Sequence, residues 1–214
     1  MPGAEVLRRA AQDPACDTQT DALLAREAEA HRATFESLMQ GLRGPFGRVL
    51  DLWQSAILQG GKLLAFGNGG SAGNAQHIAA ELAVRYEKDR PPIAAVALTA
   101  DSLILSAAAN DLGFEAVFSR QVAALGRRGD VAVGISTSGA SANVIAGLRE
   151  AHARGLHTTG LIGRDGGAML AHCDAAIVVP ANSTARIQEM HLFVTHLLCK
   201  SLEVRLGLAE GPPR

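Results

Sequence analysis

Residues 62–81 read KLLAFGNGGSAGNAQHIAAE, and how that stretch divides decides the fold. An apolar run, Leu63-Leu64-Ala65-Phe66, is short enough to be a buried strand. The glycine-rich turn Gly67-Asn68-Gly69-Gly70-Ser71 follows, and an alanine-rich helix then carries His77 and Glu81. Strand, glycine turn and helix together present backbone N–H groups and the positive helix end to an anion. Four residues separate His77 from Glu81, which puts imidazole and carboxylate on one helix face, one turn apart. An anion cradle beside a His/Glu pair points to a phosphorylated substrate.

Downstream of this unit, strands alternate with helices. Strands are predicted at 63–66, 93–98, 131–135, 157–162 and 175–179, and helices at 71–85, 101–109, 115–125, 143–154 and 183–206. Such alternation predicts an α/β protein, a three-layer αβα sandwich around a five-stranded, mostly parallel sheet. Ligands of such sheets bind beyond the carboxyl ends of the strands. Upstream, residues 21–40 form a helix in which Leu24, Ala28, His31, Phe35 and Leu38 recur at steps of four and three. That seam is narrow, of the kind that packs on another helix. Residues 41–45 break it, and a second amphipathic helix at 46–58 turns Val49, Leu50, Trp53 and Ile57 inward. The chain thus divides into a loose tail at 1–20, one domain at 21–206 that includes the N-terminal oligomerisation helices, and a polar tail at 207–214.

Composition narrows the function. The 214 residues carry a net charge of −1, which gives no electrostatic reason to expect nucleic acid or an anionic membrane. Cys16, Cys173 and Cys199 are odd in number and form no C-x-x-C pair, so neither a disulfide framework nor a cysteine zinc site is indicated. No signal-peptide pattern and no apolar run of membrane-spanning length is present. A soluble, reduced, cytoplasmic protein is expected.

Two strand ends carry conspicuous polar loops. The first, residues 67–72, also fits the dinucleotide fingerprint G-x-G-x-x-[GA]. That fingerprint needs an acid about 20 residues on, at the end of the second strand. Glu87 precedes that strand and Asp101 lies too far beyond it, which disfavours a dinucleotide. The second loop, Ser136-Thr137-Ser138-Gly139-Ala140-Ser141, places three serines and a threonine at a strand-to-helix turn. Its hydroxyls and helix N-terminal N–H groups suit a phosphate monoester, and no lysine follows to make a nucleoside-triphosphate loop. One serine would suffice as a helix cap, and this loop has three. The last helix adds Gln188, Glu189, His191 and His196 as candidate ligands, without chemistry to choose between the two histidines. Gln188 and His196 stand eight residues apart, roughly 12 Å along a helix. Both reach one point only if side chains lean together, the helix is irregular, or a neighbouring subunit supplies one. His31, His152, His157 and His172 lie outside any cluster.

The segments GNGGSAGNAQHIAAEL, AANDLGF, GDVAVGISTSGASANVI and TARIQEMHLFVTHLL resemble the sugar isomerase (SIS) domain, and within it the phosphoheptose isomerases. The resemblance runs from about residue 21 to 206. It implies interconversion of sedoheptulose 7-phosphate and D-glycero-D-manno-heptose 7-phosphate through an enediolate, in heptose and nucleotide-heptose biosynthesis. It makes Glu81 the catalytic base and His196 the acid. It implies one Zn²⁺ per subunit, held by His77, Glu81, Gln188 and His196. Substrate contacts carry over to Asn68, Gly69, Gly70, Ser71, Glu81, Asn110, Asp111, Ser136, Thr137, Ser138, Ser141 and Gln188. Some members place an acid just before R-I-Q, where this chain has Ala185. A non-catalytic branch of the same family, including a tetrameric factor that engages a replication initiator, lacks the glutamate and the final histidine, which this chain keeps. The resembled isomerases are tetramers with sites built from more than one subunit. Together with the unpartnered seam this implies a homotetramer.

Overall fold

The computed structural model describes residues 14–210. Its helices, numbered from the first described one, are α1 (Pro14–Gly41), α2 (Arg43–Leu58), α3 (Gly70–Ala83), α4 (Ser102–Leu112), α5 (Val117–Leu125), α6 (Ala142–Ala153) and α7 (Thr184–Arg205). The strands are β1 (Leu63–Gly67), β2 (Ala95–Ala97), β3 (Val131–Ser136), β4 (His157–Gly163) and β5 (Ala175–Val179). Short 3₁₀ turns at Phe114–Ala116 and Ala168–His172 were not expected from the periodicity.

All five strands pair in parallel in the order β2-β1-β3-β4-β5. The chain leaves β1 toward one edge and returns through β3 on the other side of β1. The topological switch point therefore lies between β1 and β3, the two strands that carry the polar loops. Side chains alternate across the sheet. Leu63, Ala65, Val131, Val133, Ile135, Leu161 and Ile177 face one layer with core residues of α1, α2, α3 and α7. Leu64, Phe66, Ala132 and Ile162 face the other, packed on α4, α5 and α6. Trp53 is fully buried on the first face, where its indole N–H donates to Thr159 Oγ1 at 3.2 Å across α2 and β4. The three-layer sandwich expected from the alternation is the observed fold.

Element boundaries differ where local chemistry intervenes. Helix α1 begins at Pro14, so residues 14–20 are helical and not a loose tail, while residues 1–13 and 211–214 of the expected tails lie outside the described residues. The break expected at 41–45 shrinks to Leu42, because Pro45 falls in the first turn of α2, where its missing N–H is not needed. Strand β2 spans three residues instead of six. The Ile93 N–H is drawn away from the sheet to the Leu82 carbonyl at the end of α3 (2.9 Å).

Several polar and charged side chains are buried with this core, and three of them carry charge or a titrating ring between α3 and α7 or within α7. Arg90 and Glu203 form an ion pair at 2.8 Å with side chains 1% and 2% exposed. The same guanidinium donates to the carbonyls of Glu81 and Leu82, each at 2.7 Å. His191, on α7, is 1% exposed, and burial lowers its pKa to about 4, against a smaller opposing pull from the Ile162 backbone. An unfolded histidine titrates near 6.5, so between that value and about 4 the unfolded chain binds the extra proton. Stability from neutral His191 is thus complete above pH 6.5 and lost as pH falls toward 4. Urea unfolding at pH 7 and pH 5 should show the parent protein losing about 2 kcal/mol more than a His191→Leu variant over that interval.

Candidate functional site

The first loop opens directly onto α3. Gly69 has φ 54° and ψ −122°, a conformation that side-chain-bearing residues rarely adopt, and α3 starts there with no side-chain cap. Gly70 permits a close approach: a Cβ there would lie 2.3 Å from Gln188 Nε2, so the Gln188 side chain rests on the Gly70 backbone. Ser71 is buried.

The second loop opens onto α6 from β3. Ser136 Oγ lies 3.0 Å from Ser141 Oγ and accepts from the Gly139 N–H, while Ser138 Oγ accepts from the Ala140 N–H. Thr137 is half-buried between them. Ser141 occupies the position preceding α6 but makes no capping bond. Ser183, preceding α7, makes none either, whereas Asp101 caps α4 by accepting from Ile104 N–H at 2.9 Å. Helices α3, α6 and α7 thus start at the carboxyl edge of the sheet without side-chain caps, and their positive ends favour an anion there. Asp101, excluded above as a ribose acid, has this structural use instead. The two loops are tied by Asn68 and Asn143, whose amides exchange two 2.8 Å hydrogen bonds. Sequence reasoning missed Asn143, since nothing local distinguishes it from an ordinary first-turn asparagine.

Helices α3 and α7 run alongside each other in the same direction. Gln188 rests on Gly70, Thr195 Oγ1 donates to Asn74 Oδ1 at 3.2 Å, and His196 meets His77 with Nε2 atoms 2.8 Å apart. The His77 Nε2 is also 3.4 Å from a Glu81 oxygen. The other Glu81 oxygen is buried with no hydrogen-bond partner. His77, Glu81 and His196 therefore converge within one chain, and the choice between the two histidines of α7 is settled by packing. His196 faces α3, while His191 is buried in the core. Gln188 stands at the opposite end of the ladder, as its spacing along α7 requires. Asn110 and Asp111 occupy the exposed last turn of α4, where Asn110 Nδ2 donates to Asp111 at 2.7 Å. Among the described residues, neither bonds to a loop of the site.

Further supports were not legible in the sequence. Arg90 holds the carbonyls of Glu81 and Leu82, and with them the end of α3. At the start of α7, Glu189 is bonded by Arg186 and, at 2.7 Å, by His31 of α1, which anchors the N-terminal helix beside Gln188. Ala185 is exposed.

The donor set suits a divalent metal. One nitrogen from each histidine and one Glu81 oxygen lie within 4.8 Å of one another. A tetrahedral zinc with bonds of about 2.0–2.1 Å holds its ligands about 3.3 Å apart. The His77–Glu81 separation of 3.4 Å matches, and the 2.8 Å between the imidazoles needs to widen slightly. The unpartnered Glu81 oxygen is the kind of buried acceptor that an ion would satisfy.

Comparison with known proteins places the chain in a family. The SIS domain family matches residues 28–163. The phosphoheptose isomerase of Paramagnetospirillum magneticum is 48% identical over 180 residues, covering 84% of this chain and 94% of its own length. That of Neisseria gonorrhoeae is 49% identical over 189 residues, covering 87% and 95%. A solved phosphoheptose isomerase from Neisseria gonorrhoeae superposes with a TM-score of 0.80 at 44% identity, covering 86% of this chain and 98% of that one. Another, from Francisella tularensis, gives 0.83 at 33% identity, covering 86% and 97%. The chain belongs to the SIS domain family and, within it, to the phosphoheptose isomerases.

Proposed function

We propose that this protein interconverts sedoheptulose 7-phosphate and D-glycero-D-manno-heptose 7-phosphate, and that its site works with the residues assembled above. The observation that carries the reading is the convergence of His77, Glu81 and His196 beside two anion-attracting loops at the switch point of the sheet. Aldose–ketose exchange moves one proton between C1 and C2 and needs a base, an acid for the oxygen, and stabilisation of the developing oxyanion.

The phosphate binds at residues 136–141, with hydroxyls of Ser136, Thr137, Ser138 and Ser141 and the start of α6 as donors. Asn68, Gly69, Gly70, Ser71 and Gln188 hold the sugar along α3, which rises about 10 Å from Gly70 to His77. Anchoring both ends orients C1 and C2 toward Glu81. Glu81 takes the carbon-bound proton and returns it to the neighbouring carbon, and His196 exchanges the proton on oxygen. His77, Glu81 and His196 would hold a zinc ion; Gln188 stands too far along the ladder in its own chain and would serve as a further ligand only from a neighbouring subunit. When bound, the ion supplies Lewis-acid polarisation of the carbonyl. Asn110 and Asp111, exposed on α4, are assigned to sugar contacts within the assembled oligomer.

A homotetramer is supported by apolar surface that one chain leaves uncovered. The second half of the α1 seam packs on its own domain through Phe35 and Leu38, but Leu24 at its start is 62% exposed, and Leu103 and Phe114 beside α4 are 76% and 61% exposed. Free thiols at Cys173 and Cys199 are consistent with a reducing, cytoplasmic setting. Among the described residues no helix is long and apolar enough to cross a membrane. The product would serve heptose biosynthesis, including that of lipopolysaccharide.

A coupled assay on sedoheptulose 7-phosphate tests the activity. The parent protein should turn over, and Glu81→Gln should fall by about 10²–10⁴-fold with its circular dichroism and mass unchanged. Near-parental turnover would remove Glu81 from the mechanism. Elemental analysis should find one divalent ion per chain, lost in His77→Ala. Absence of metal together with indifference to chelator would overturn the metal assignment. Light scattering should give four times the chain mass, reduced by Leu24→Glu, and a monomeric parent protein at micromolar concentration would sink the assembly.

A further inference from the structure

The turn that follows β4 carries a cation that no described residue engages. Arg164 has φ 61°, and among the described residues it is the one non-glycine with positive φ. That backbone region costs a side-chain-bearing residue roughly 1–2 kcal/mol, and the same turn has glycine at 166 and 167, each with positive φ. The Arg164 side chain is exposed and makes no hydrogen bond or ion pair with any described residue. A cost accepted without an internal contact in return directs attention to a ligand.

This turn and the serine loop form a single packed unit. A Cβ on Gly139 would lie 2.3 Å from the Gly166 carbonyl oxygen, and one on Gly163 would lie 2.4 Å from that of Thr137. The Gly139 carbonyl also accepts from the Met169 N–H at 2.9 Å. Backbone contact at that range fixes where Arg164 stands relative to Ser138. Both line one cavity of about 450 Å³, with Asp165, Pro180, Ala181 and Asn182 completing its wall.

Charge supplies the remaining argument. Residues 136–141 contain hydroxyls and backbone donors but no lysine or arginine, so a phosphate dianion held there has no formal countercharge within the loop. The cavity's other ionisable group is Asp165, whose Oδ1 accepts from the Gly167 N–H at 3.1 Å. Its carboxylate would repel a phosphate unless a cation offsets it. Arg164 is the cation lining that cavity.

We propose that Arg164 is the charge-neutralising residue of the phosphate subsite. Its guanidinium reaches across the cavity to a phosphate bound beside Ser138, and it selects phosphorylated over unphosphorylated sugars. The inference rests on the serine loop being the phosphate cradle. The bidentate geometry of a guanidinium matches two phosphate oxygens, which a lysine cannot reproduce.

Arg164→Gly tests it cleanly, because glycine relieves the backbone while removing only the side chain, and thermal unfolding should show a fold at least as stable. Calorimetric titration with inorganic phosphate should give a Kd raised about 10- to 100-fold in Arg164→Gly, with Arg164→Lys between it and the parent. In the isomerase assay, KM for the sugar phosphate should rise with little change in kcat, the mark of lost uniform binding. Unchanged phosphate affinity in Arg164→Gly, alongside weakened affinity in Ser138→Ala, would overturn the role of Arg164 while leaving the cradle intact. A parent protein that binds no phosphate would overturn both. Arg164-dependent phosphate binding in a protein without isomerase activity would uphold this inference and refute the proposed reaction.

Discussion

Everything at the site depends on α3 and α7 lying side by side in register. Neither helix carries the three converging groups alone: His77 and Glu81 come from one, and His196 from the other. The register is held by a ladder of contacts that ends in the buried Arg90–Glu203 pair. Arg90 spends its guanidinium on Glu203 and on carbonyls near the end of α3, so the Glu81 turn of α3 and the far end of α7 share one anchor. Such a pair adds little to stability compared with apolar packing, but losing either partner leaves a buried charge at a cost of about 3–5 kcal/mol. Its value here is positional: it removes the freedom of α3 to slide or fray where Glu81 must stand.

The carboxyl edge of the sheet shows the complementary design. Asp101 caps α4, whereas α3, α6 and α7 open onto the crevice with no side-chain cap, as α2 and α5 do elsewhere. Helix ends left uncapped retain the partial positive charge that a ligand anion can use. Asn68 and Asn143 hold the two loops at a fixed spacing, and the glycine contacts at 139, 166 and 167 lock the serine loop against the turn after β4. Preorganised donors of this kind need little rearrangement when charge arrives.

The layered fold was readable because burial on both faces forces strands into short apolar runs between amphipathic helices. The two polar loops at strand ends were readable because glycine and serine clusters there open onto helices. Boundaries failed where a nonlocal bond intervened, as at Ile93, whose N–H goes to Leu82 instead of the sheet. Pro45 misled for a simpler reason: the same residue that ends one helix can open the next.

By itself, then, the sequence determined the fold class, the two loops and the list of groups able to do chemistry, since periodicity and residue type are local properties. Only the tertiary structure decided which of those groups meet. His191 and His196 are chemically equal in the sequence, yet one is buried against the sheet and held neutral, and the other faces His77. Arg90, Asn143 and Arg164 acquire meaning from partners or cavities formed by residues far away in the chain. Convergence is a property of packing, and no short-range pattern records which side of a helix will find its neighbour.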